Sequence, residues 1–320
     1  MTLLFNKQQR LRILWRVVSF IGLTFALNIP LQLLLQKLLS EGLVRGYISA
    51  SIFLTSIVAS LYVQARFIEK TSFEKYGLRI NATWISEFFT GCGIAAVQLM
   101  VFYGILYVSG NLTIGSSFRI PPGAGYSFTG GFLSDLFSLF IGSIGEELFF
   151  RSFLFYLILE SLRHFRSEPS SKALLASLII SLLFGLAHFT NESATLLSTV
   201  NLAIDGLMLA IPFLITGRLG MSVGIHFSWN LLFGDVFGAG VSGNLSKVSV
   251  IQMLTPDNLL TGGAFGPEGS VLILLLDAIA VGIIWLWWKS KKQESFLSRD
   301  VIHVASDPDP GASNLKLKTV

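Results

Sequence analysis

One cysteine, Cys92, stands in 320 residues, which excludes a disulfide framework and a thiolate metal cluster. Set inside an apolar run, it reads as a small buried filler. Charge is scarce as well, at 13% of the chain. The net charge of +4 comes from basic residues lying between apolar runs rather than in one patch, which argues against a nucleic-acid partner. No His-Glu-x-x-His occurs, so the local zinc spacing of helical metalloproteases is missing. Nor is there an internal duplication with helices broken at matching positions, as a transporter built from repeats would carry. What abounds is apolar: 52% hydrophobic residues, 27 Phe and a mean hydropathy of +0.68. That composition excludes an ordinary soluble protein of this length and implies an all-α, polytopic helical bundle in a lipid bilayer.

A bilayer asks for roughly 20 apolar residues per span, and about eight stretches qualify: 15–36, 47–64, 87–109, 131–159, 172–190, 194–216, 219–236 and 270–288. The first follows Lys7, Arg10, Arg12 and Arg16. Its apolar run is too long for a secretory signal and no small-residue cleavage site follows, so it reads as a retained anchor. Pro30 within it predicts a kink. Four units result: accessory spans over 1–86, an embedded core over 87–236, a long outer loop with the last span over 237–293, and a disordered polar tail over 294–320 that holds Asp307-Pro308-Asp309-Pro310-Gly311.

Basic residues set the orientation. Alternate connections place Lys7, Arg10, Arg12, Arg16, Arg66, Lys70, Lys75, Arg79, Arg163, Arg166, Lys172, Arg218, Lys289, Lys291 and Lys292 on one side, against only Lys37, Arg45, Arg119 and Lys247 on the other. The positive-inside rule then predicts both termini in the cytoplasm. Trp285, Trp287 and Trp288 form an inner interfacial belt. The long connections 110–130 and 237–269 fall outside, the second either a functional lid or an untied loop.

Within the spans, ionisable side chains are costly and mark function. In Glu146-Glu147-Leu148-Phe149-Phe150-Arg151, Glu147 and Arg151 share a helix face and can pair, while Glu146 points about 100° away and is left desolvated and free to exchange protons. The bland reading is an ion-pair cluster that only packs helices. His188 follows Phe184-Gly185-Leu186-Ala187, whose small residues permit close helix approach; taken alone, such a His is more often a satisfied core residue. His226 and Asn230 stand four apart on one face, an imidazole beside an amide, able to donate two hydrogen bonds to one oxygen. Their bland reading is an interhelical polar clamp worth about 1 kcal/mol.

Glu-Glu-x-x-x-Arg, Phe-x-x-x-His and His-x-x-x-Asn, in that order on three spans, resemble the CAAX protease and bacteriocin-processing family (CPBP, the Abi or type II CAAX prenyl endopeptidase group). The likeness runs on through Thr216-Gly217-Arg218-Leu219-Gly220-Met221-Ser222-Val223-Gly224-Ile225 and covers about 130–235, a third of the chain. It implies an intramembrane endopeptidase with a water-filled cavity, acting on a peptide or membrane-protein substrate, CAAX-like and prenylated by the family name. It also implies roles: Glu146 and His188 activating the attacking water, His226 and Asn230 holding the oxyanion, Glu147 and Arg151 supporting the site. Family members are often labelled metalloproteases, and Glu146, His188 and His226 would suit a His₂Glu zinc set; a metal-free Glu/His mechanism competes with it.

Asp205, four residues after Asn201, departs from the family pattern and is expected to line the cavity or join a polar clamp. Depth poses a problem. At 1.5 Å per residue His188 lies about 24 Å from Lys172, but His226 only about 12 Å from Arg218. One shared site therefore requires staggered spans, or a dip at Thr190-Asn191-Glu192. Two other classes compete with the peptidase: a non-catalytic scaffold, regulator or immunity protein of the same family, and a proton-coupled transporter.

Overall fold

The structure, a computed structural model, describes residues 3–5, 11–292 and 295–306. The chain forms a helical bundle with a small β-ribbon at one end. The N-terminal pair is α1 (Ile13–Leu38) and α2 (Leu43–Val63), the latter prolonged by a π-helical turn over Gln64–Glu69. Next come α3 (Ala82–Val108), strand β1 (Thr113–Arg119) and α4 (Phe128–Glu147), which runs through a π-helical segment, Leu148–Leu154, into α5 (Phe155–Leu162). α6 (Pro169–Ala187), α7 (Leu196–Thr216) and α8 (Gly220–Asn230) complete the core, α8 being extended by a third π-helical turn, Leu231–Val236. The long loop folds into β2 (Gly240–Val241), β3 (Asn244–Leu245) and β4 (Ser249–Leu254), ahead of α9 (Ile273–Ser290) and a short α10 (Arg299–Ser306).

Local chemistry fixes the helix ends. Asn81 caps α3 by accepting from Trp84 N, Ser127 caps α4 from Gly130 N, and Thr195 and Ser198 form a reciprocal capping box on α7. Pro169 starts α6, where its missing N–H costs nothing. Gly217, at φ 67°, closes α7 in the left-handed region. Pro30 sits inside a continuous α1.

Seven described helices are long and apolar enough to cross a membrane: Ile13–Leu38, Leu43–Glu69, Ala82–Val108, Phe128–Leu162, Pro169–Ala187, Leu196–Thr216 and Ile273–Ser290. The eighth expected stretch, 219–236, differs. Its helix is shorter and starts inside the bundle, since Leu219, Gly220 and Met221 are all buried. Glycine makes this possible. A methyl group on Gly220, Gly224 or Gly91 would run into the backbone of Trp84, Phe88 or Met221 respectively, so α8 lies backbone to backbone along α3 and parallel to it. α8 thus begins beside Trp84 in the first turn of α3, and His226 near its end reaches both Glu147 and the cavity that His188 lines.

Two ends of the bundle are distinct. At one, Arg16 of α1 lies 3.2 Å from Glu69 and 2.8 Å from Glu160, and Lys172 donates from Nζ to the carbonyls of Arg163 and Ala305. The start of α1, the ends of α2 and α5, the start of α6 and α10 thus meet there. At the other, β1 pairs antiparallel with β4, bringing Thr113 opposite Leu254 and Arg119 opposite Ser249. Both long connections therefore share one end. The expected disordered tail is corrected in part: residues 299–306 form α10, with Val301 and Ala305 fully buried against α5 and α6. The segment folds here because Val301 and Ala305, four apart, fall on one face and bury together, with Val304 packed beside them. The Asp307-Pro308-Asp309-Pro310-Gly311 run lies outside the described residues.

Candidate active site

Glu147 is the hinge of the site. It is fully buried, and its Oε1 lies 3.1 Å from Nη1 of Arg151, the ion pair that their spacing predicts. The same Oε1 takes a 2.9 Å contact from His226 Nδ1, a partner 79 residues along the chain. That second contact is invisible in the sequence, because it joins α4 to α8 and depends on the glycine-mediated depth of α8. Arg151, also fully buried, spreads its guanidinium 4.0 Å from the ring centroid of Phe184, whose π face takes the place of further acceptors. The Phe of Phe-x-x-x-His thus supports Arg151. Both Glu147 and Asn230 are followed at once by a π-helical turn, a feature frequent at functional sites and unsignalled by residue spacing.

Glu146 faces the other way. Its side chain is 40% exposed, onto a cavity of about 580 Å³ shared with His188, His226 and Asn230. The expectation of a desolvated Glu146 is therefore corrected, because the cavity reaches it. Its Oε2 lies 3.8 Å from His226 Nε2. His188 caps the end of α6, and its Nδ1 sits 2.8 Å from the Phe184 carbonyl. A carbonyl only accepts, so Nδ1 carries the hydrogen and Nε2 is the free nitrogen. Glu147 likewise takes the Nδ1 side of His226, leaving its Nε2 on the side of Glu146. Asn230 makes no side-chain hydrogen bond to any described residue and lines the same cavity. All six candidate residues thus gather in one place, four on the cavity and two directly beneath it.

The loop over 240–247 borders the cavity. Ser242 and Gly243, at φ 48° and 81°, turn the β2–β3 hairpin in the left-handed conformation that a two-residue type I′ turn requires. The Ser242 carbonyl accepts from Asn191 Nδ2 at 2.9 Å, which ties the turn after His188 to the loop. Lys247 pairs with Asp135 of α4 at 2.7 Å. From the far end of the loop, Glu268 accepts from Trp229 Nε1 at 2.9 Å and from Ser242 N at 3.2 Å. Burial pushes the Glu268 carboxyl above the usual range, and those donors only partly offset it. Asn201 donates to the Glu268 and Ser270 carbonyls at 2.7 and 2.9 Å.

Asp205 does not reach the main cavity. It lines a smaller one of about 40 Å³ behind His226, together with Glu268 and Asp277. Asp205 of α7 and Asp277 of α9 thus come together there, with Glu268 beside them. Asp277 and Glu268 belong to no motif; Asp277, the one acid in the apolar 270–288 stretch, carries the signal of an intramembrane charge, and Glu268 carries none.

Glu146, His188 and His226 line one cavity, and protein holds only Nδ1 of each imidazole, which leaves both Nε2 atoms available. Among the described residues no three His, Cys, Asp or Glu side chains stand close enough together to form a metal-holding group.

These residues fall within one recognised stretch. Residues 129–232 match the family model of the type II CAAX prenyl endopeptidase, Rce1-like. This Rce1-like segment contains Glu146, Glu147, Arg151, His188, His226 and Asn230, and agrees with the 130–235 span of the sequence resemblance. It belongs to a polytopic helical bundle, and with seven membrane-length helices the protein is an integral membrane protein. No curated protein and no solved structure matches the chain.

Proposed function

We propose that the protein is an intramembrane endopeptidase that hydrolyses a peptide bond with a water activated by Glu146 and His188. The observation that carries this reading is the opposed placement of the two neighbouring acids: Glu147 is sealed between Arg151 and His226, while Glu146 opens onto the cavity. A general base has to meet water, and a structural acid has to be kept from it. Glu146 takes the proton of the attacking water, with the free Nε2 of His188 as its partner. His226, its ring held by Glu147, offers Nε2 to the developing oxyanion when doubly protonated, and Asn230 offers its amide. Glu147 and Arg151 hold His226 in place.

A scaffold has no need of an exposed acid facing two imidazoles across a cavity, and the chain lacks the duplicated halves on which a transporter built from repeats relies. Protein purified with Glu146→Gln provides the test. Its thermal stability should match wild type, because the amide keeps the size and shape of the carboxyl and leaves no buried charge without its partner, and its cleavage of candidate peptide substrates should vanish. Full activity in that variant removes Glu146 from the mechanism. Chelation tests the metal question separately: activity that survives it fits the metal-free route, whereas stoichiometric zinc, lost with activity in both His188→Ala and His226→Ala, overturns it.

A further inference from the structure

The chain tells which side of the membrane supplies the substrate. We propose that the cavity opens on the extracytoplasmic face and that the substrate is a polypeptide segment exposed there, either secreted or part of a membrane protein, rather than a lipid-modified cytosolic C-terminus. This deepens the peptidase reading and rests on it.

Three observations carry the argument. The first concerns charge. The end where Arg16, Glu160, Lys172 and α10 meet also receives the basic connections 66–79, 163–172 and 289–292, whereas the basic residues of the ribbon end, among those described, are Lys37, Arg45, Arg119 and Lys247. The positive-inside rule places the first end in the cytoplasm and the ribbon outside. The second concerns the cavity's mouth. Its rim is made by the hairpin loop joined to β4, where Asn244 and Lys247 are exposed, and by Asn191 just beyond the end of α6. The way in is from the ribbon end. Toward the cytoplasmic end the floor is closed by Glu147, Arg151, Phe150 and Phe184, all under a tenth exposed.

The third concerns chemistry. Asn191, Ser242, Asn244, Ser246 and the Lys247–Asp135 pair form a rim of amide, hydroxyl and charged groups. Such a rim suits a hydrated peptide backbone, whose N–H and C=O groups need partners when they leave water. Leu139, Ala187, Val241 and Leu245 line the same opening and offer apolar contact to the side chains of such a segment.

Accessibility and cleavage test this independently. In a Cys92→Ala background, Asn244→Cys and Arg299→Cys are treated in intact cells with a membrane-impermeant maleimide. Asn244→Cys should label without permeabilisation and Arg299→Cys only after it; Ser117→Cys on the exposed ribbon repeats the reading if Asn244→Cys does not fold. A membrane-impermeant pool of quenched fluorescent peptides is then given to right-side-out and inverted vesicles, with Glu146→Gln as blank. Cleavage should occur in the right-side-out vesicles and be lost in the inverted ones. Labelling of Asn244→Cys from the cytoplasmic side alone, or cleavage confined to inverted vesicles, overturns the proposal while leaving the peptidase reading intact. Outside labelling with no Glu146-dependent cleavage in any preparation, detergent-solubilised protein included, instead sinks the peptidase reading and the substrate assignment, and the outward face stands alone.

Discussion

Glu147 holds His226 from below, its Oε1 2.9 Å from the imidazole Nδ1 and 3.1 Å from the Arg151 guanidinium. One carboxylate therefore balances a buried cation and fixes a ring on another helix. The two tasks can be separated. Glu147→Gln leaves Arg151 as an uncompensated buried charge and should destabilise by about 3–5 kcal/mol, whereas the double variant Glu147→Gln with Arg151→Met removes both charges and should recover most of that loss. Activity should stay low in both, because a neutral amide no longer supports a charged His226. Thermal denaturation in detergent together with peptide turnover decides it; a double variant as active as wild type would leave Glu147 no role beyond charge balance.

Asn230 makes no side-chain hydrogen bond to a described residue and shares the cavity with His226. A donor that engages only as the oxyanion develops lowers kcat and not binding, so Asn230→Ala should reduce kcat about 10²–10³-fold with KM nearly unchanged. A rise in KM at constant kcat would make the amide a substrate-binding group instead.

The depth of α8 rests on three glycines. At Gly224 a methyl group would meet the Phe88 carbonyl, a backbone atom that cannot swing aside. Gly224→Ala should therefore cost about 1–3 kcal/mol or more and lower activity by lifting His226 away from Glu147. Gly93, on the same helix as Gly91 but with open space around it, is the control: Gly93→Ala should be neutral or should stabilise by about 0.5–1 kcal/mol. Equal melting temperatures for the two variants would refute the close approach.

Glu268 predicts a pH dependence of stability. Burial raises its carboxyl above the ordinary value, so the folded protein binds more protons than the unfolded chain from about pH 4.3 upward, to the raised value. Its contribution is complete below that window and is lost as the pH rises through it. Glu268→Gln abolishes this titration. The melting temperature of the variant relative to wild type should accordingly climb from about pH 4 toward neutrality; a constant difference would mean that the carboxyl titrates alike in both states. Any fixed offset from the altered Trp229 and Ser242 hydrogen bonds cancels in this comparison.

Much of the site is local and was legible as spacing. Glu147 with Arg151, Phe184 with His188 and His226 with Asn230 all stand four apart, and a helix brings such residues onto one face whatever surrounds it. Composition sufficed for the polytopic bundle, because roughly 20 apolar residues per span is a demand of the bilayer, not of any neighbour. Spacing could not say that three helices meet at one depth. That was decided by Gly91, Gly220 and Gly224, where the absence of a side chain matters only against the particular backbone it lets approach. The Glu147–His226 contact depends on where α8 comes to rest, and the floor closed by Arg151 and Phe184 on how α6 packs against the π-helical segment after α4. The same holds for the long loop: its Gly and Ser content told of a connection, while its pairing with β1, its anchor at Glu268 and its position beside the cavity arise from residues 130 or more apart in some cases, as between Arg119 and Ser249. Contacts of that range leave no periodic trace in a sequence, since each depends on where two separate elements come to rest.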